Sequence, residues 1–182
     1  MYHLGMSSRI KNEILYSVKK TPFGSMAVAH TFSGVCSILF PEESPFKSSL
    51  LQKFPHAKIY NESTDSTGCA DQIEEYFDGK RTVFDVELDL DLPTFYTKTL
   101  KAVLTIPYGK TLSYKEIAQK TGTPKGARAV GNANAHNPIP LIIPCHRVIK
   151  HDGSLGGYGG RVDRKAFLLE HEKQQSSVEL NQ

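Results

Sequence analysis

Apolar and polar positions alternate through the first half of the chain. Glu13 to Lys19 and Met26 to His30 alternate loosely about the turn Thr21-Pro-Phe-Gly24, and Ser33-Gly34 turns the chain again before Val35 to Phe40. This pattern predicts an antiparallel sheet. Pro45 to Phe54 reads as a short helix, Ala57 to Tyr60 as a strand, and Asn61 to Gly68 as a polar loop. Cys69 to Phe77 reads as a second helix that stops at Gly79. Thr82 to Leu90 alternates apolar and acidic residues, as a last strand or an extended connector would.

The period changes at Pro93. From Thr94 to Ile106 the residues Tyr96, Thr99, Leu100 and Val103 recur at three- and four-residue steps, which predicts a helix ended by Pro107. Ser113-Tyr-Lys-Glu116 is a capping box opening a helix that runs to about Lys120, with Gly122 beyond it. Thr123-Pro124 then starts a second helix, with proline at its first position. Two helices across a tight turn make a helix-turn-helix, a unit that also occurs as plain scaffold. Asp163 is expected to cap a last helix ending near Glu172, with Lys173 to Gln182 a disordered polar tail. The fold class predicted is α+β: a small N-terminal α/β domain over residues 1–92, then a mostly helical domain with a winged helix-turn-helix over 93–172.

Composition alters this picture in one respect. The 182 residues, 39% hydrophobic and 23% charged, are those of an ordinary globular protein. No apolar run is long enough to span a bilayer, and the first residues lack a signal-peptide core, so a cytoplasmic protein is expected (nuclear in a eukaryote). The net charge of +3, however, is unevenly spread. Residues 1–92 hold nine Lys and Arg against 13 Asp and Glu, a net of −4, whereas residues 93–182 hold 13 against six, a net of +7. The second half alone is expected to meet a polyanion.

The second helix, Lys125-Gly-Ala-Arg-Ala-Val-Gly-Asn-Ala-Asn-Ala135, is almost all small residues. Arg128, Gly131, Asn132 and Ala135 share a face, so one long cation stands in a smooth surface that a groove could approach closely. A repressor would instead present several long polar side chains to base edges.

Candidate chemistry lies in Pro144-Cys-His-Arg-Val148, at the end of the apolar run Pro140-Leu-Ile-Ile143, read as a strand. Cys145 is one of three cysteines, with Cys36 and Cys69, and the only one beside a group that could ionise it. The spacing of the three gives neither a disulfide framework nor a C-x-x-C metal pair. Adjacency alone does not set His146 against the thiol, and an inert buried cysteine is an equal reading. Glu172 lies four residues after Leu168; if Leu168 faces the core, Glu172 is drawn inward and needs a partner, for which His146 is available. A frayed, solvated helix end is the alternative. Asn137-Pro138 is either an ordinary turn or a side-chain tie between the second helix and the run into Pro144.

Ile143-Pro-Cys-His-Arg-Val148 resembles the active-site signature of the O6-alkylguanine-DNA alkyltransferases. Ile106-Pro-Tyr-Gly-Lys-Thr-Leu-Ser-Tyr114, Arg128-Ala-Val-Gly-Asn-Ala133, Asn137-Pro-Ile-Pro140 and Gly157-Tyr-Gly-Gly160 add to it in the expected order, over about residues 71–172. The resemblance implies single-turnover repair of duplex DNA by a monomer, with no cofactor. The alkyl group of O6-alkylguanine, or of O4-alkylthymine, would pass to Cys145 after the base is flipped out from the minor groove. It implies Cys145 as nucleophile, Glu172 as the group that orients His146, His146 as acceptor of the thiol proton, directly or through a water, and Tyr114 as proton donor to the guanine. The thiol is expected about two units below its ordinary pKa. Arg128 would enter the stack, with Ala127, Gly131, Asn132, Ser113 and Thr111 also on DNA. Asn137 would act as a hinge, and Pro140, Val148, Gly156, Gly157, Tyr158, Gly159 and Gly160 would line the base pocket. Members commonly carry tryptophan where Leu100 stands, and some a serine where Gly159 stands. Some bind a structural zinc in the N-terminal half, but His3, His30, Cys36 and Cys69 do not fall at that spacing, and no metal is expected. A lesion-binding helix-turn-helix protein without activity, or a cysteine hydrolase, are the other readings.

Overall fold

The computed structural model describes residues 4–5, 12–159 and 161–179. The chain forms two compact units, Met1–Asp91 and Leu92–Gln182.

In the first unit, β1 (Leu4–Gly5), β2 (Glu13–Thr21), β3 (Gly24–Thr31), β4 (Gly34–Leu39), β5 (Lys58–Asn61) and β6 (Leu88–Asp89) make one sheet in the order β1-β6-β4-β3-β2-β5. The two hairpins are antiparallel as predicted. The sheet as a whole is mixed, because β5 returns parallel to β2 and β6 lies parallel to β1 and β4. The cause is the crossover through α1 (Phe46–Lys53), which carries the chain back past the hairpins and so fixes the direction of β5. Alternation cannot show this, since it records faces and not partners. The central strands are buried almost throughout, and Ile14, Ala27, Ala29, Cys36 and Leu39 pack with Phe46, Leu50 and Ile59. Gly34 is required by a close approach: at φ 136°, a Cβ there would lie 2.4 Å from the Glu87 carbonyl oxygen. Of the stretch Thr82 to Leu90, only Leu88–Asp89 is strand, although Phe84, Val86, Leu88 and Leu90 are all buried on alternate positions. α2 (Cys69–Phe77) buries Ile73 and Tyr76.

The second unit begins with α3 (Thr94–Leu104), which buries Thr99, Leu100 and Val103. α4 (Tyr114–Lys120) carries the predicted box: the Glu116 amide donates to Ser113 Oγ at 3.2 Å, and the Ser113 amide to Glu116 Oε2 at 2.7 Å. Here the structure corrects the sequence reading three times. The second helix, α5 (Ala127–Ala135), starts after Pro124, because Thr123 to Gly126 close a turn first, with Gly126 N donating to Thr123 O at 2.7 Å. The apolar run before Cys145 is not a strand. Leu141 is left-handed at φ 73°, and Cys145–Arg147 form a 3-10 turn. Bulk apolar character records burial there, not extension. Third, α6 (Val162–Glu179) places Asp163 inside its first turn and continues seven residues past Glu172 through the expected tail. The wing is a parallel pair of β7 (Leu112–Ser113) and β8 (Val148–Ile149).

Candidate active site

The site is assembled from the 3-10 turn, α6 and the end of α5. Lys165, Leu168 and Glu172 stand at three- and four-residue steps on α6, and all three are fully buried. That face carries the Glu172 carboxylate to the 3-10 turn, where His146 Nε2 donates to Oε1 at 2.8 Å. Arg147 donates to both carboxylate oxygens, and the Gly109 amide donates to Oε2 at 3.0 Å. Burial alone would raise the Glu172 pKa, but the bonds from His146 and the charge and bonds of Arg147 hold it down at about 2. For His146, burial depresses the pKa more than Glu172 raises it, so the ring is neutral. Since a carboxylate accepts only, Nε2 carries the hydrogen and Nδ1 is left as a lone pair. His146 Nδ1 is buried with no hydrogen-bond partner among the described residues.

Cys145 is buried, and its Sγ accepts from Asn137 Nδ2 at 3.2 Å. The same Nδ2 donates to the Ile143 carbonyl at 2.8 Å, while Asn137 Oδ1 accepts from the Ile139 amide at 3.0 Å. Asn137 thus ties the end of α5 to the turn that holds the thiol. Burial pushes the Cys145 pKa up, against smaller lowering effects of Asn137 and Lys165. This corrects the expectation of a lowered value: adjacency to His146 suggests ionisation, but a fully desolvated sulfur loses more than these neighbours restore.

Tyr114, first residue of α4, is half-buried between three elements. A Cβ at Gly131 on α5 would lie 3.7 Å from its ring, and one at Gly156 would lie 2.8 Å from its hydroxyl. From α6, Lys165 Nζ lies 5.6 Å from the ring centroid and donates to the Val148 carbonyl. Burial lowers the Lys165 pKa to about 8, with Cys145 acting in the opposite direction. The phenol is raised by burial and then by Cys145.

Of the other predicted residues, Pro140 and Val148 are buried and Tyr158 is half-buried. Gly157 and Gly159 open onto free space, and Gly160 lies outside the described residues. Thr111 and Arg128 are exposed, and Ala127 opens α5. Ser113 is committed to its cap, and Asn132 donates through Nδ2 to Tyr96 OH at 2.6 Å. Arg147 and Lys165 were not anticipated. The signal for Lys165 was present, since it lies on the same α6 face that pointed to Glu172. Arg147 carried none beyond its place beside His146.

In the first unit His30, Glu62 and Asp65 bring possible metal-ligand atoms within 4.8 Å of one another. Those groups are already engaged: His30 Nε2 lies 2.8 Å from Glu62 Oε1, and Asp65 accepts from the Thr67 and Ala70 amides. Cys36 and Cys69 are buried, form no disulfide and lie outside that group, and His3 lies outside the described residues. No described helix is long and apolar enough to cross a membrane.

Residues 14–90 match the family model for the ribonuclease-like domain of 6-O-methylguanine DNA methyltransferase, and residues 94–174 match the model for its DNA binding domain. The methylated-DNA–protein-cysteine methyltransferase of Mycobacterium tuberculosis (strain ATCC 25618 / H37Rv) is 55% identical over 114 residues, covering 63% of this chain and 69% of that protein. The corresponding protein of Methanosarcina barkeri is 39% identical over 158 residues, 87% of this chain and 96% of its own. A crystal structure of Mycobacterium tuberculosis OGT in complex with DNA has a TM-score of 0.78 at 42% identity, covering 88% of this chain and 94% of that one.

Proposed function

The chain belongs to the 6-O-methylguanine DNA methyltransferase family, and from that premise we propose how its own residues carry out repair. The activity is methylated-DNA–protein-cysteine methyltransferase: an alkyl group on O6 of guanine in DNA passes to a cysteine of the protein. Cys145 is the acceptor. The observation that carries this assignment is the buried His146–Glu172 pair, at 2.8 Å, one residue from the only cysteine of the second unit.

Glu172 fixes the His146 tautomer, and Nδ1 takes the Cys145 proton through one bridging water. The thiolate so formed is held by the Asn137 N–H and the nearby Lys165 ammonium. Because burial keeps the resting thiol protonated, ionisation belongs to the reaction itself. The S–C bond forms as the C–O6 bond breaks, and the electron pair passes into the guanine. Tyr114 gives that base its proton, and Lys165 beside the ring stabilises the tyrosinate left behind. The product is a thioether, which has no proton to lose, and residues 92–182 hold no second cysteine to take the alkyl group on, so each molecule acts once.

O6 lies in a stacked pair and the thiol is buried, so the nucleotide leaves the duplex to react. α5 docks in the minor groove, with exposed Arg128 filling the gap and Ala127, Gly131, Thr111 and Ser113 against the backbone. The loop Gly156-Gly-Tyr-Gly159 walls the pocket on the Tyr114 side, where Gly156 meets the phenol, and buried Pro140 and Val148 complete its lining. The protein acts as a monomer on duplex DNA.

Incubation with O6-methylguanine duplex followed by mass spectrometry should show one added methyl group, located on Cys145. Cys145→Ala should take up none while still binding the duplex, since phosphate contacts supply most of the affinity. Methyl transfer to the alanine variant would overturn the assignment.

A further inference from the structure

Arg128, Asn132 and His136 stand at four-residue steps along α5 and its C-cap, and all three are exposed. His136 therefore extends the face that carries Arg128 by two turns. Its backbone amide donates to the Asn132 and Ala133 carbonyls, each at 3.2 Å, and its Nδ1 lies 2.8 Å from the Asn132 carbonyl oxygen. A carbonyl only accepts, so Nδ1 carries a hydrogen in either charge state. The neutral ring then presents a bare lone pair at Nε2, and only the imidazolium presents an N–H there.

The ring is held from α3 as well. Its centroid lies 5.4 Å from that of Tyr96, at an interplanar angle of 42°. Tyr96 OH accepts from Asn132 Nδ2 at 2.6 Å, which leaves the phenol's own hydrogen free to donate. Tyr96 and Asn132 are the groups that face His136, and no carboxylate among the described residues pairs with it.

We propose that His136, together with Tyr96, forms a phosphate-binding clip at the C-terminal end of α5, and that His136 takes up a proton when the DNA backbone docks there. A phosphate oxygen only accepts hydrogen bonds, so it is repelled by the neutral ring and bound by the charged one. The helix end sharpens the requirement. Its free carbonyls carry partial negative charge, which favours a cation at this place and opposes a phosphate without one. The aromatic face of Tyr96 acts in the same direction. DNA binding would thus be coupled to pH through a residue remote from the thiol chemistry. The inference rests on the reading of α5 as the DNA-docking helix.

The test is the affinity of the full chain for an undamaged duplex, by fluorescence anisotropy at fixed ionic strength, between pH 6 and pH 8. Wild type should weaken by about threefold to tenfold over this range, the scale of one phosphate contact. His136→Ala should bind at pH 6 as weakly as wild type does at pH 8 and show little pH dependence. His136→Lys, with a fixed charge, should bind tightly across the range. An alanine variant that keeps the wild-type pH dependence, or that matches wild type at pH 6, would overturn the proposal. The alkyltransferase reading fails separately, through absence of a methyl group on wild-type Cys145 after incubation with alkylated duplex.

Discussion

Arg147 grips the Glu172 carboxylate at both oxygens, donating from Nε to Oε2 at 2.9 Å and from Nη2 to Oε1 at 3.0 Å. Its third nitrogen donates to the Ile106 carbonyl at 2.7 Å, and the guanidinium sits 5.6 Å from the centre of the Tyr108 ring. Glu172 therefore has two duties: it orients His146 and neutralises a buried cation.

Glu172→Gln separates these duties poorly, and the outcome is correspondingly severe. The amide leaves Arg147 buried without its counter-charge, which should cost about 3–5 kcal/mol of folding stability, measured by urea unfolding. Transfer should slow as well, because the His146 tautomer is no longer fixed. The native pKa of about 2 lies below the ordinary carboxylate value, so the stabilisation is present above about pH 4.3 and is lost as pH falls through about 2. Wild type should lose stability across that acid window, and the Gln variant should lack that component. A variant as stable as wild type at pH 7 would contradict the buried pair.

Lys165→Met removes the cation that lies over the Tyr114 ring and acts on the Cys145 thiol, at nearly constant volume. Transfer should slow by about tenfold to a hundredfold, with each tenfold worth about 1.4 kcal/mol of barrier. Because burial lowers the native Lys165 pKa to about 8, the wild-type rate should decline as pH rises through that value. In the Met variant this decline should vanish. A decline that survives the substitution would assign it to another group.

Arg128→Ala should slow repair of duplex DNA by about one to two orders of magnitude, because flipping costs a few kcal/mol and the side chain recovers part of it. Reaction with free O6-methylguanine base should scarcely change. Label transferred to protein gives both rates, and equal losses would remove Arg128 from the flipping step.

Asn134 gives a prediction of opposite sign. Its amide nitrogen and oxygen are both buried with no hydrogen-bond partner among the described residues. Burying an unpaired polar group costs about 1–3 kcal/mol, so Asn134→Leu should raise stability by about 1–2 kcal/mol, seen as a higher thermal midpoint. A lower midpoint would mean that the amide is satisfied in solution.

The same chain shows what a sequence makes legible. The Ser113–Glu116 box and the buried face of α3 follow from local rules, and both were readable. Glu172 was readable too, because helical spacing ties it to Leu168. Partnering across the fold was not. Nothing in the alternation of β5 records that α1 brings it parallel to β2. The apolar residues before Cys145 specify burial, while the left-handed Leu141 and the 3-10 turn arise from packing against their neighbours. The thiol's ionisation was misjudged for a related reason. A neighbouring imidazole is visible in sequence, but complete desolvation of the sulfur is a tertiary fact.

The length of α6 makes the chain's integrity as a substrate for proteases bear directly on its chemistry. Ser176 Oγ donates to the Glu172 carbonyl at 2.8 Å, and its Cβ would lie 3.3 Å from a Cβ at Gly109, whose amide holds the Glu172 carboxylate. Lys173 is exposed just after Glu172, and trypsin can address the bond that follows it once the last turns of α6 open. A cut there severs no catalytic group, yet it releases Ser176 and lets water compete for the Gly109 amide. Nicked chains would keep Cys145, His146 and Glu172 and lose the dry setting that holds the carboxylate in place.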